Sequence, residues 1–384
     1  MTAAAVHGDL AGGGVRMRVL REQSLRDIGW QQVAELDWSS FGIVLGAGGM
    51  TGGAFEAGVL LALQWDHGIR PHDADVLVGT SAGSVGGTLL SLGFDAADIA
   101  AMLLGAPHHL APRDDELVFP FGVTLPAIVL RRLFRTPTPA VCMQSALHLA
   151  RGRMRLVLLD WLRCGEVDPR EFVSAFERVQ WADHPRLKIC VTDVGDGGRV
   201  VLDADHPGRL IDAVAASCSV PTVMAPVECG GRTFVDGGLW SPTNADVVAG
   251  PDGPRTVVIL SPMSGTNSAT AIGRISARFA AWRLADELRR FDPAQTVLVI
   301  EPTGALSAAV IDDALHGDAV GPVVLGAFTG PSACVGTPDH GGAAASVSSA
   351  SVASADPASA ARGSPGRTRT AAASASAAGC GVTT

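Results

Sequence analysis

Two short apolar runs, Phe41–Leu45 (FGIVL) and Asp75–Gly79 (DVLVG), are each followed by a turn of small residues and then by helix-compatible sequence. A brief apolar run bounded by turn residues suits a strand buried on both faces. Ala54–Gly68 reads as the first helix, closed by Gly68, and Ala82–Leu92 as the second. Strand, helix, strand, helix with short connections is the pattern of an α/β chain with a parallel sheet covered by helices. Parallel strands joined by one crossover helix are usually neighbours, so the turns after Leu45 and Val78 should lie side by side.

Further along, Leu187–Thr192, Arg199–Leu202, Thr233–Val235, Thr256–Leu260 and Thr296–Ile300 read as strands. Glu171–Val179, Leu210–Ser217 and Ile275–Phe291 read as helices, the last amphipathic and core-packed, with Val310–His316 as a cap. Residues 1–40 are expected to form a loose leader (1–17), then a short polar helix and linker (18–40). One domain is expected over 41–330. Its 105–160 stretch holds Pro107, Pro112, Pro120, Pro126, Pro137 and Pro139 and reads as an insertion over the core. The Ala/Ser/Gly-rich tail, 331–384, lacks the apolar residues to offset its ordering entropy and is expected to be disordered.

With 47% hydrophobic and 17% charged residues, the chain has material for a core. Its net charge of -9 offers no general attraction to nucleic acid or anionic lipid. Seven scattered cysteines, none in a C-x-x-C pair, make neither a disulfide framework nor a zinc site. No cofactor or metal is called for, since the acidic residues form no oxygen-ligand loop of recognised spacing. No secretory pattern opens the chain and no apolar run reaches membrane-spanning length, so a cytoplasmic setting is expected.

The turn after the second strand is Gly79-Thr80-Ser81-Ala82-Gly83. A G-x-S-x-G run places serine on a sharp strand-to-helix turn, where small neighbours leave room for a strained backbone and a substrate. The helix that follows adds its N-terminal amides. The bland reading is a tight turn in which Ser81 caps a helix. The first turn, Gly46-Ala47-Gly48-Gly49-Met50-Thr51-Gly52-Gly53, also suits a dinucleotide fingerprint at Gly46 and Gly48. Thr51 occupies the third glycine place, however, and no convincing acidic residue follows. A hydrolase reading uses both turns, with amides near Gly48 and Gly49 facing a carbonyl attacked by Ser81.

A serine nucleophile needs a base. Of ten histidines, only His316 lies late enough for the usual Ser…Asp…His order, and it sits at an unremarkable helix end. Asp236 ends the strand Thr233–Val235 and precedes Gly237 and Gly238, which leaves its carboxylate at a strand's C-terminal edge, where ligands bind open α/β sheets. An ordinary Asp-Gly turn is the competing reading.

Four motifs in order resemble the patatin-like phospholipase family: the glycine loop running into Phe55-Glu56-Ala57-Gly58-Val59-Leu60, then Gly79–Gly83, then Ala215-Ala216-Ser217-Cys218-Ser219-Val220-Pro221, and finally Phe234-Val235-Asp236-Gly237-Gly238-Leu239. The resemblance implies a three-layer α/β/α fold with a mainly parallel central sheet. It also implies a serine–aspartate dyad, Ser81 with Asp236, and an oxyanion hole from Gly48, Gly49 and Ala82. The implied activity is hydrolysis of fatty-acyl esters of phospholipids, lysophospholipids or neutral lipids. Gly46, Met50, Gly52, Gly53, Gly79, Gly83, Gly237 and Gly238 support these motifs. The chain departs from the family where Met50 replaces a glycine and Gly52 a basic residue, which weakens the expectation of an anionic phospholipid. The alternatives are a weak or inactive lipid-binding relative and a conventional α/β-hydrolase using His316. Within the insertion, Phe119, Phe121, Leu125, Leu133 and Phe134 suit a lid, and Arg131, Arg132 and Arg135 suit lipid phosphates. Peripheral contact with the inner membrane surface through 119–135 is one expectation, and plain packing on the core is the other.

Overall fold

The computed structural model describes residues 14–105, 165, 167–221, 223–314 and 317–333, all within the unit Met1–Gly336. Residues 119–135, where a lid and membrane contact are expected, His316 and the tail from 334 onward lie outside the described residues. No helix among the described residues is long and apolar enough to cross a membrane.

A single sheet organises the rest. Its strands are β1 (Val15–Arg21), β2 (Ser24–Asp27), β3 (Phe41–Leu45), β4 (Val76–Thr80), β5 (Leu187–Asp193), β6 (Arg199–Leu202), β7 (Val227–Cys229), β8 (Arg232–Asp236), β9 (Thr256–Leu260) and β10 (Thr296–Pro302). The order is β2-β1-β10-β9-β3-β4-β5-β8-β7, with β6 also on β5. The five central strands, β10 to β5, are parallel, while β1, β2, β6, β7 and β8 join antiparallel. The sheet is therefore mixed, parallel only at its centre. β3 and β9 are buried throughout, as central strands covered on both faces must be.

The helices are α1 (Gly49–His67), α2 (Ala82–Ser91), α3 (Ala96–Leu103), α4 (Leu210–Ser217), α5 (Ala271–Leu288), α6 (Gly304–Asp312) and α7 (Val320–Ala333). Strand alternation divides the core in two. Ile43, Leu45 and Leu77 face α1 to α4 and α7, whereas Val44, Val78, Val257 and Ile259 face Leu284 and Leu288 of α5. These are the two outer layers of an α/β/α arrangement.

Three expectations need correction. Residues 15–17 are not leader but the start of β1, and 18–40 hold β1, β2 and a 3-10 helix (Trp30–Glu35) rather than a polar α-helix. The run VRMRVLR alternates apolar and basic residues, and Val15, Met17 and Val19 turn inward against β10. α1 begins at Gly49, not Ala54, because packing overrides the poor helix propensity of glycine. A Cβ on Gly48 would lie 2.7 Å from Gly52 Cα and 3.0 Å from Pro262 Cβ, so only glycine fits this close approach. The expected helix at Glu171–Val179 is a kinked 3-10 segment, Pro169–Phe176. The amphipathic, core-packed helix expected at Ile275–Phe291 is present as α5, which packs on the core along one face. Ile272, Ile275 and Trp282 on its outer side are 74%, 68% and 60% exposed.

The path of β5 brings distant segments together. Cys190 pairs with Thr80 and with Val201, so β4 and β6 lie on opposite edges of β5. Val191 pairs with Asp236 and with Val200, so β8 also lies opposite β6. β4 and β8 thus share one edge and meet end to end, with Thr80–Ser81 running up to Asp236.

Candidate active site

Ser81 stands between β4 and α2 with φ 53° and ψ −121°, a positive φ that a side-chain-bearing residue rarely holds. Neighbouring groups clamp it there. Its N–H donates to Ser217 Oγ (2.9 Å), and that hydroxyl donates to Cys190 O (2.8 Å). Its carbonyl accepts from Ser84 N–H (2.8 Å), Ser84 Oγ (2.6 Å) and Cys218 Sγ (3.3 Å). The flanking glycines are required by space: a Cβ on Gly79 would lie 2.6 Å from Gly83 O, and one on Gly83 would collide with Leu45 O. Burial pushes the thiol of Cys218 up to about 12, so it is an inert neighbour.

Asp236 closes β8. Its N–H donates to Ser219 O (3.0 Å), its carbonyl accepts from Thr192 Oγ1 (3.0 Å), and its carboxyl accepts from Gly238 N–H (2.7 Å). Both ends of the residue are tied into the sheet, so the carboxyl has a defined place. Ser81 and Asp236 are 6% and 5% exposed. Burial raises the Asp236 carboxyl to about 6, and hydrogen bonds from the Ser81 side chain and the Gly238 amide keep it from rising further. Such a value lets the carboxylate exist at neutral pH and still hold a proton transiently.

The glycine loop lies against both. A Cβ on Gly53 would stand 3.8 Å from Ala82 Cβ, and one on Gly238 would stand 3.4 Å from Ala47 Cβ. Some loop amides are already used: Gly46 N–H donates to Leu260 O (3.1 Å), Ala47 N–H to Pro242 O (2.7 Å) and Met50 N–H to Ala314 O (2.7 Å). The amides of Gly48, Gly49 and Ala82 have no such acceptor among the described residues; Gly49 and Ala82 line the cavity, whereas Gly48 is buried and does not. Gly52 packs on Pro262, with a Cβ at 3.4 Å, and is not part of the cavity wall. The residue that replaces the family's cation therefore points its space at a proline.

Ser81 and Ala82 open onto a cavity of about 210 Å3. Met50 and Leu60 of α1, Val85 and Leu89 of α2, Ile99 and Met102 of α3, and Phe172 and Val173 line it. The sequence reading missed α3 and the 3-10 segment as walls; both are apolar stretches whose partners come from elsewhere in the chain. It also passed over Glu56, whose acidic side chain in the apolar run AFEAGVLL was a readable signal.

Residues 43–249, more than half of the chain, match the family model described as patatin-like phospholipase. The chain belongs to the patatin-like phospholipase family. Its members are lipid hydrolases, and the mixed α/β sheet flanked by helices is consistent with the patatin fold. Among solved structures, VipD from Legionella pneumophila is similar over 52% of this chain at 19% identity, with a TM-score of 0.29. This chain spans 46% of that one. A comparison with curated proteins found no match.

Proposed function

We propose that this patatin-like chain is a serine esterase that cleaves fatty-acyl esters through a Ser81 acyl-enzyme, with Asp236 as its base. The observation that carries the reading is the Ser81 elbow, set beside a buried carboxyl raised to about 6 and opening onto an apolar cavity.

In the first half-reaction the Asp236 carboxylate takes the Ser81 hydroxyl proton as Oγ bonds to the ester carbonyl carbon. A positioned base of this kind is worth about 10²–10⁴ in rate. The carbonyl oxygen becomes an oxyanion, which the unpaired amides of Gly49 and Ala82, with that of Gly48 behind them in the loop, receive. Each donor is worth about 3 kcal/mol of transition-state stabilisation. The ester C–O bond then breaks and protonated Asp236 returns its proton to the departing alcohol. In the second half, Asp236 takes a proton from water as that water attacks the acyl-enzyme, and Ser81 leaves as the restored hydroxyl. The apolar cavity suits the acyl chain, since its walls exchange water for hydrocarbon contact.

A serine-directed fluorophosphonate tests this reading. The expected result is an adduct mapped by peptide mass spectrometry to Ser81, absent in Ser81→Ala and strongly slowed in Asp236→Asn. A folded protein that takes no adduct and hydrolyses no ester in a lipid panel would instead be a lipid-binding relative.

A further inference from the structure

Beside Ser81, the described cavity wall carries one carboxyl, that of Glu56, with no role in the scheme above. On α1, Gly49, Gly53, Glu56, Ala57 and Leu60 face the cavity, which is the stripe that helical spacing produces. Gly53 marks the level of the nucleophile through its approach to Ala82. Glu56 follows three residues later, roughly 5 Å further along the helix axis. It therefore borders the part of an acyl chain nearest the carbonyl, not its far end.

Glu56 is 3% exposed, and its Oε1 has no hydrogen-bond partner among the described residues. Among the described residues, no lysine or arginine lines the cavity. Burial drives its carboxyl well above the usual carboxylate range, opposed only by the Gly46 backbone, and so favours the protonated form. A neutral acid both donates and accepts a hydrogen bond. An apolar residue such as Leu60, one turn on, would fill this place without leaving a buried polar atom unpaired. A trapped water is a poor solution, because it needs about two to four polar partners and the surrounding wall is apolar. A hydroxyl carried on an otherwise apolar chain needs only the carboxyl.

We propose that Glu56 forms a subsite for acyl groups bearing a hydroxyl close to the ester carbonyl, which makes it the specificity-determining residue of the cavity. The proposal rests on the esterase reading for the nature of the bound group.

The test compares kcat/KM for decanoyl and 3-hydroxydecanoyl esters of the same alcohol. One buried hydrogen bond predicts about a tenfold preference for the hydroxyacyl ester in the natural chain. Glu56→Leu should remove that preference, and Glu56→Gln, which still donates and accepts, should keep most of it. An unchanged ratio in Glu56→Leu overturns the proposal. So does an equal slowing of both esters with a lowered Tm, the mark of a purely structural brace. If the natural chain hydrolyses neither ester, the esterase reading fails and calorimetric binding of decanoic and 3-hydroxydecanoic acids decides instead. Tighter binding of the hydroxy acid, lost in Glu56→Leu, supports the subsite, whereas equal binding or none overturns it.

Discussion

Asp236 and Asp246 are both largely buried and only ten residues apart in sequence, yet their surroundings are opposite in kind. Burial alone would raise Asp246, but the hydrogen bonds and charge of Arg199, helped by Arg290 at 2.5 Å, hold it below the usual carboxylate range. Asp236 has no cationic partner among the described residues. It receives the Gly238 amide and Ser81 instead, and burial wins. Glu287 stands between the two: burial raises it, while Thr243 Oγ1 (2.7 Å) and Ala245 N–H (2.9 Å) donate to it. The difference separates structural acids from working ones. On the α5 side of the sheet, Asp246 is matched by two arginines and serves the fold. On the cavity side, Asp236 and Glu56 keep desolvation costs that no fixed charge among the described residues offsets, and such acids are candidates to exchange protons or bind a ligand.

The strongest way to break this contrast is at the nucleophile. Ser81→Ala should lower kcat for ester hydrolysis by about 10⁴ or more with Tm essentially retained. Asp236→Asn should lower kcat by about 10²–10⁴, whereas Asp246→Asn, at a residue paired with Arg199 and Arg290 and absent from the cavity wall, should leave kcat within error. Stability should respond in reverse. Asp246→Ala strands Arg199 and should cost about 3 kcal/mol in denaturant unfolding.

The pH dependences of stability should diverge too. A raised carboxyl means that the folded state binds its proton more tightly than the unfolded chain. The contribution of Asp236 is therefore most favourable below its unfolded value of 3.8 and declines as pH rises to about 6. A shift of this size corresponds to at most about 3 kcal/mol. Asp236→Asn should accordingly match the natural chain in stability near pH 4 and exceed it at pH 8. Asp246, held low, has the opposite sign, with its contribution present above the unfolded value and lost as pH falls. Equal pH dependence in the two variants would remove the distinction.

The contrast was only partly legible in the sequence. The elbow and the Asp-Gly turn were readable because their glycines are sterically enforced: besides Gly79 and Gly83, a Cβ on Gly237 would collide with Cys190 O. The meeting of β4 and β8 on one edge of β5 was not. β8 returns antiparallel through a pairing set by contacts more than a hundred residues from Ser81, and strand periodicity carries no information about such partners. β1 was overlooked although its alternation was present, because Ala- and Gly-rich sequence precedes it. α1 began earlier than propensity suggested because Gly48 packs against Gly52 and Pro262 where a larger residue does not fit. The pairing of Asp246 with Arg199 and Arg290 joins residues 47 and 44 positions away, beyond any local pattern.

The pH dependence of kcat/KM, measured on one ester for the natural chain, Asp236→Asn and His316→Ala, tests the central claim most directly. With Asp236 as the base, activity should rise tenfold per pH unit below about 6 and level off above it. His316→Ala should keep that profile, and the residual activity of Asp236→Asn should lose the inflection. An inflection that survives in Asp236→Asn but disappears in His316→Ala would contradict the dyad and assign the base to the histidine.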